Sequence, residues 1–190
     1  MARITCAEAM ERGRVCAAHI YDLGRPDVAD WQLAWLWCLA QVAPDGPAVE
    51  CGVAHGGSLA CWAATREGRG PIIAVDTKFR AGCRERWAGY GYEVESLTMP
   101  SWEAPAHIAG QVAFCFIDAD HGETGVPRDV AAWPSKIMPG GILAWHDYEV
   151  WKPNVVVKKY VDEWQARDRW EFLGQIGALI AYRRPGVAGG

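Results

Sequence analysis

Apolar runs and amphipathic stretches alternate along this chain from about residue 48 to residue 146, with short glycine or proline breaks between them. The pattern predicts strands near 48–52, 71–76, 92–98, 111–118 and 141–146. Helices are predicted between them near 57–67, 79–89, 102–109 and 126–137. Alternation of this kind builds a doubly wound α/β sheet of parallel strands. Upstream, residues 5–20 read as a first helix, and Asp30 is placed to cap a second over 31–41. Trp31, Leu33, Trp35, Leu36, Cys38 and Leu39 leave that second helix little polar face, so it should be largely covered. After the fifth strand, Asn154 opens a helix carrying Val155, Val157, Tyr160, Val161 and Trp164. Residues 170–174 and 178–183 read as paired closing strands, and 185–190 as a flexible tail.

The first strand runs into Glu50-Cys51-Gly52-Val53-Ala54-His55-Gly56-Gly57-Ser58, a glycine turn that opens a helix. Glycine lets a ligand approach the backbone, and the free N–H groups at a helix start attract a carboxylate or phosphate. The second strand ends in Asp76, where an acid can accept hydrogen bonds from ribose hydroxyls. Three residues separate Gly52 from Gly56, so the G-x-G-x-x-G fingerprint of dinucleotide binding is absent, and no P-loop lysine follows. A turn that only packs a helix onto a sheet is the plainer alternative.

A second constellation stands further on. Phe116-Ile117-Asp118-Ala119-Asp120-His121 closes the fourth strand, and Pro139-Gly140-Gly141 leads through the fifth to His146-Asp147-Tyr148. Ligands of open α/β sheets collect beyond the carboxyl ends of the strands. Glu50, Asp76, Asp118, Asp120, His121, His146 and Asp147 should therefore converge on one mouth.

The first segment resembles motif I of class I S-adenosylmethionine-dependent methyltransferases, E/D-x-G-x-x-x-G, with Asp76 matching the ribose-binding acid. From about Val49 to Tyr148 the chain is similar to small-molecule O-methyltransferases of the macrocin type and, more distantly, the catechol type, which read F-I-D-G-D-H, then P-G-G, then D-D or H-D. The resemblance implies a Rossmann-like sheet of seven strands in the order 3-2-1-4-5-7-6, strand seven antiparallel, as one domain over 1–190. It implies that Glu50 orients the cofactor's amino group, that Gly52 and Gly56 admit its methionine portion, and that Asp76 takes the ribose. Ser58 would bind the methionine carboxylate or satisfy an orphan N–H. Ser101, in Met99-Pro100-Ser101-Trp102, would meet the adenine or cap the following helix. Asp118 belongs with the cofactor residues and, with His146 and Asp147, with the ligands of a divalent metal. Asp118 could instead be structural. Magnesium prefers hard oxygens, whereas the imidazole of His146 suits zinc, iron, nickel or manganese better.

Two routes to methyl transfer follow from these residues. Without metal, His146 or His121 acts as general base on an acceptor hydroxyl, because neutral imidazole has an unperturbed pKa near ~6.5. With metal, a divalent ion on Asp118 and Asp147 lowers the acceptor's pKa and holds its oxygen in line with the sulfonium methyl. His121 and His55 could equally be solvated loop residues.

Composition limits the partners. A formal charge of −4 with no Lys/Arg run offers nucleic acid no binding surface. Glu8, Glu11, Arg12 and Arg14 interrupt the N-terminal apolar residues, and no stretch approaches membrane-spanning length, so a cytoplasmic protein is expected. Seven cysteines without a C-x-x-C pair read as reduced, mostly buried thiols, with Cys51 a small apolar filler. Eleven tryptophans are many for 190 residues. Trp31, Trp35, Trp37 and Trp62 read as core, while Trp102, Trp145 and Trp151 at the mouth could stack on an acceptor. The helices within 1–42 would suit a cap over the site or a two-fold contact. Besides a methyltransferase acting on a small-molecule hydroxyl, the residues admit a metal-dependent hydrolase using Asp118, Asp120, His121, His146 and Asp147. They also admit a catalytically silent S-adenosylmethionine-binding protein.

Overall fold

Two strands with no exposed residue form the middle of the sheet: β1 (Ala48–Cys51) and β4 (Val112–Ile117), paired in parallel. A computed structural model describes residues 5–21 and 30–186. Strands covered on both faces favour apolar side chains throughout, and Glu50 is the one charged residue in these two runs. β2 (Ile72–Asp76) joins β1 on its other side, and β3 (Val94–Thr98) joins β2, both in parallel. β5 (Ile137–Trp145) lies parallel to β4, while β7 (Leu179–Arg183) runs antiparallel between β5 and β6 (Glu171–Ile176). The order β3-β2-β1-β4-β5-β7-β6 is the one expected.

Successive residues serve opposite faces. Val49, Cys51, Cys115, Ile117, Leu143 and Trp145 point into one core with Trp133 of α5 (Val126–Lys136) and Trp164 of α6 (Val157–Asp168). Ala48, Phe114, Phe116, Ile142 and Ala144 point into the other. That core also holds Leu36 of α2 (Asp30–Val42), Trp62 of α3 (Gly57–Trp62) and Trp87 of α4 (Cys83–Gly89). α1 (Cys6–Tyr21) packs on α2 and α3. Among the described residues, no helix is long and apolar enough to cross a membrane.

Several expected boundaries shift for local reasons. The stretch expected as a helix near 102–109 is a 3-10 turn over Ser101–Ala106, since Pro105 lacks the N–H that an α-helix would use. The last helix starts at Val157 rather than Asn154, and β5 takes Ile137 from the end of the helix expected over 126–137. α2 is less covered than its sequence suggests, with Trp31 51% exposed. Trp62 is a core residue as expected, Trp35 and Trp37 are partly buried, and Trp145, expected at the mouth, is core as well. The expected tail reaches beyond the described residues at 187–190.

Arg66, 1% exposed, ties α2 to the sheet. Its guanidinium donates to the carbonyls of Ala40, Ala43, Pro44 and Gly46 at 2.8–3.4 Å, satisfying groups that the end of α2 leaves open. The described cysteines are all free thiols, and burial raises Cys51, in contact with Cys115, well above the ordinary thiol range.

Candidate active site

The glycine turn after β1 is held by its own packing. Gly52 has φ +81, and a Cβ there would lie 1.9 Å from the carbonyl oxygen of Asp118, so only glycine lets β1 and β4 end this close together. Gly56 has φ +79, and a Cβ there would meet the Trp87 indole at 2.6 Å; its carbonyl accepts the Trp87 N–H at 3.3 Å. On the side where a Cβ would project, Gly56 is therefore filled by Trp87. Ala54 follows Gly52 with φ +48 and donates its N–H to Asp76 Oδ2 at 3.0 Å. The other Asp76 oxygen accepts the Lys78 N–H at 2.9 Å, so the turn and the β2 tip are latched together.

A cavity of about 440 Å³ opens at this junction. Gly52, Ala54, Val75, Asp76 and Thr77 line one part, Met99, Pro100, Ser101 and Trp102 another, and Asp118, Ala119 and Asp120 a third. Apolar walls that also carry carboxylates and hydroxyls, in this size range, suit a small organic ligand with polar groups. Glu50 does not line the cavity. It is fully buried and accepts hydrogen bonds from the Ser58 hydroxyl at 2.6 Å and the Trp62 indole at 2.5 Å. Burial pushes Glu50 up to about 8, although both donors work against the shift. The Ser58 proton is thereby spent on Glu50, which leaves the hydroxyl oxygen only acceptor capacity toward other groups. Ser101 caps nothing: Pro100 is the N-cap, and the Ser101 hydroxyl donates to Asp129 Oδ2 at 2.8 Å.

Beside the cavity, the ends of β4 and β5 bring two acids and two histidines together. His121 Nε2 lies 3.1 Å from Asp118 Oδ1 and 2.9 Å from Asp147 Oδ2. His146 Nδ1 lies 3.3 Å from the same Asp118 oxygen and 3.6 Å from Asp147 Oδ2, with neither ring nitrogen in a well-formed hydrogen bond. Asp147 takes φ +54, a conformation Asp tolerates better than most residues, and so turns back toward the cluster. The hydrogen bonds to Asp118 and Asp147 push His121 up to about 10. Burial acts to lower His146, but the same two carboxylates outweigh it and push it up to about 10. Burial acts to raise Asp147, yet the two imidazoles hold it well below the usual carboxylate range. The two carboxylates thus favour the protonated form of both histidines in this arrangement, whereas a general base acts from the neutral form.

Ligand atoms of Asp118, His121 and Asp147 all lie within 4.8 Å of one another, a spacing that could hold a metal ion. His121 thus joins the set in which the sequence reading placed His146; the D-x-x-H spacing from Asp118 to His121 was the available signal. Asp120 accepts the Gly122 N–H at 2.8 Å and borders the cavity. Trp102 lines the cavity with the Arg128 guanidinium 5.1 Å from its ring centre, and Trp151 is 96% exposed.

A family model described as a methyltransferase domain matches residues 49–148, from β1 through the site's last acid. The chain belongs to this methyltransferase family. The methyltransferase shares its fold with solved structures at low identity. The O-methyltransferase TomG of Streptomyces achromogenes, involved in tomaymycin synthesis and solved with S-adenosylmethionine, is 16% identical over 93% of this chain and 90% of its own, with a TM-score of 0.71. The O-methyltransferase NovP is 17% identical over 95% and 100%, with a TM-score of 0.70. An rRNA methylase of Streptococcus thermophilus is 16% identical over 85% and 99%, with a TM-score of 0.61. No curated protein matches the methyltransferase's sequence.

Proposed function

We propose that this methyltransferase moves the methyl group of S-adenosylmethionine to a hydroxyl of a small-molecule acceptor, assisted by a divalent cation. The observation that carries the reading is the shared wall: Asp118 borders the cavity beside the glycine turn and Asp76, and also belongs to the Asp118, His121 and Asp147 cluster. A donor in the cavity and an acceptor at the cluster would meet across that residue. The solved complex of TomG with S-adenosylmethionine supports the choice of donor. The donor supplies a sulfonium methyl, whose transfer is an in-line displacement that needs positioning more than covalent help.

Asp76 would accept from the ribose with the lone pairs that Ala54 and Lys78 leave free. Two carboxylates and one imidazole fit a transition ion such as manganese, iron or zinc better than magnesium. Asp118 and Asp147 would bind through oxygen and His121 through Nε2; the bound ion would act as a Lewis acid that lowers the acceptor hydroxyl's pKa. The residues account for the charge. Two imidazolium ions now balance the two carboxylates. Ligation through Nε2 would require His121 to release its proton to solvent, and a cation shared with the same carboxylates would weaken the field that favours the protonated form of His146.

A net charge of −4 favours a small acceptor over RNA, even though one structural neighbour is an rRNA methylase. The six described free thiols speak for a cytoplasmic setting, and half-exposed Trp31 on α2 favours a two-fold contact between copies. A hydrolase built on the same acids and histidines would leave the cavity and Asp76 without a role.

Calorimetric titration with S-adenosylhomocysteine, before and after EDTA treatment, tests the reading. Micromolar binding that Asp76→Ala abolishes, in a variant whose melting shows it folded, is expected. Absence of binding by the wild-type protein in every condition would overturn it.

A further inference from the structure

Three successive carbonyls of the glycine turn are taken by three side chains of one helix. The Cys83 thiol donates to the Ala54 carbonyl at 3.1 Å, the Arg86 guanidinium to the His55 carbonyl at 3.3 Å, and the Trp87 indole N–H to the Gly56 carbonyl at 3.3 Å. All three stand on α4, and none of them lines the cavity. Their placement is costly: Cys83 and Trp87 are each 1% exposed, and Arg86 Nε is buried without a hydrogen-bond partner among the described residues. A buried donor left unpaired lowers stability, so the guanidinium needs a reason to be there. The turn supplies one.

What α4 holds is strained backbone. Gly52, Ala54 and Gly56 have φ of +81, +48 and +79, and Ala54 carries a Cβ in the region that favours glycine. Such conformations persist only where the surroundings over-determine them. Ala54 is gripped from both sides: its N–H goes to Asp76 Oδ2 at 3.0 Å, and its carbonyl accepts the Cys83 thiol. Burial pushes Cys83 up despite the nearby Arg86 guanidinium, so the thiol keeps the proton it donates. In a planar trans peptide the carbonyl and the following N–H point in opposite directions. Carbonyls fixed on α4 therefore turn the N–H groups of His55, Gly56 and Gly57 away from that helix, and the Gly56 N–H closes on the Val53 carbonyl at 2.8 Å. Gly52, Ala54 and Asp76 all line the cavity, so its wall takes its shape from side chains that lie outside it.

We propose that Cys83, Arg86 and Trp87 are positioning residues: by holding the carbonyls of Ala54, His55 and Gly56 from behind, they set the cavity wall and, through the Ala54 N–H, aim the Asp76 carboxylate at the methyl donor. The inference rests on the S-adenosylmethionine reading of the cavity above. Arg86 carries the largest share, because a charged donor makes the strongest of the three hydrogen bonds and a thiol the weakest.

Calorimetric titration with S-adenosylhomocysteine, on two pairs of variants shown by melting to be folded, is the test. Arg86→Met keeps the stem without the guanidinium and should weaken binding about tenfold, the scale of one hydrogen bond from a charged donor. Arg86→Lys restores a charged donor and should bind within about threefold of wild type. Cys83→Ala should weaken binding about fivefold, whereas Cys83→Ser, whose hydroxyl can donate in place of the thiol, should stay within about twofold of wild type. A purely structural role for Arg86 would lower the melting temperature and leave the affinity of the folded protein unchanged. Binding by Arg86→Met within about twofold of wild type, or by Arg86→Lys no tighter than by Arg86→Met, would overturn the inference while leaving the donor reading intact. Equal affinities of Cys83→Ala and Cys83→Ser would overturn it as well, which keeps the test decisive if Arg86→Met does not fold. Failure of the wild type to bind S-adenosylhomocysteine would instead remove the donor reading on which the inference stands.

Discussion

Glu50→Gln should make this protein more stable, and increasingly so as the pH rises. The carboxyl is fully buried and pushed from 4.5 up to about 8, so the folded state keeps a proton that the unfolded chain gives up. Stability tied to this group is complete below the unfolded value, falls as pH rises above 4.5, and levels off above about 8. Each pH unit within that window costs about 1.4 kcal/mol. Glutamine does not titrate, can accept from the Trp62 indole through its oxygen, and can donate to the Ser58 oxygen through its amide, so both contacts survive. Between pH 5.5 and 7.5 the advantage of the variant over wild type should therefore grow by about 3 kcal/mol. Urea titrations followed by the fluorescence of the eleven tryptophans would measure it. Other groups titrate over the same range, but they do so in both proteins and cancel in the difference. A difference that stays flat with pH would refute the assignment of the buried proton to Glu50.

Three further outcomes are expected. Gly52→Ala combines φ +81 with a Cβ 1.9 Å from the Asp118 carbonyl, and should cost about 4 kcal/mol of stability and abolish S-adenosylhomocysteine binding; a loss below about 1 kcal/mol would contradict the close approach. Manganese binding, followed by calorimetry, should strengthen about tenfold per pH unit between pH 6.5 and 8.5, since His121 must shed a proton held up to about 10; Asp147→Ala should remove both the binding and its pH dependence. Arg66→Lys should lower stability by about 3 kcal/mol in chemical denaturation, because one ammonium cannot reach four carbonyls; a change within about 0.5 kcal/mol would count against the clamp.

Much of the sheet was legible because its signals are local. Strands such as Val112–Ile117 are unbroken apolar runs, and Gly52 and Asp76 sit at their ends where turn chemistry is written in consecutive residues. Over 102–109 the side-chain pattern suits a helix, but Pro105 lacks the N–H that an α-helix would use there. At the site, Asp118, His146 and Asp147 were marked by motif, but their ionisation was not. Two histidines facing the same pair of carboxylates is a fact of how β4 and β5 end side by side, and those carboxylates favour the protonated form of both rings. Ser101 and Asp129 are 28 residues apart, and no spacing rule joins them. Glu50 was expected beside the ligand, whereas the Trp62 indole, twelve residues on, draws it into the core.

The sheet order also dictates when the protein can finish folding. Every parallel strand is complete once Trp145 has been synthesised, yet β6 can enter the sheet only through β7, which is made after it. Until Arg183 has left the ribosome, β5 presents an unpaired edge and Phe172 of β6 has no Tyr182 to rest against. The nascent chain thus carries an open strand for the time needed to make nearly forty more residues, a few seconds at roughly 5–20 residues per second. That interval is when it is most exposed to pairing with another copy, and when a chaperone that shields strand edges would matter most.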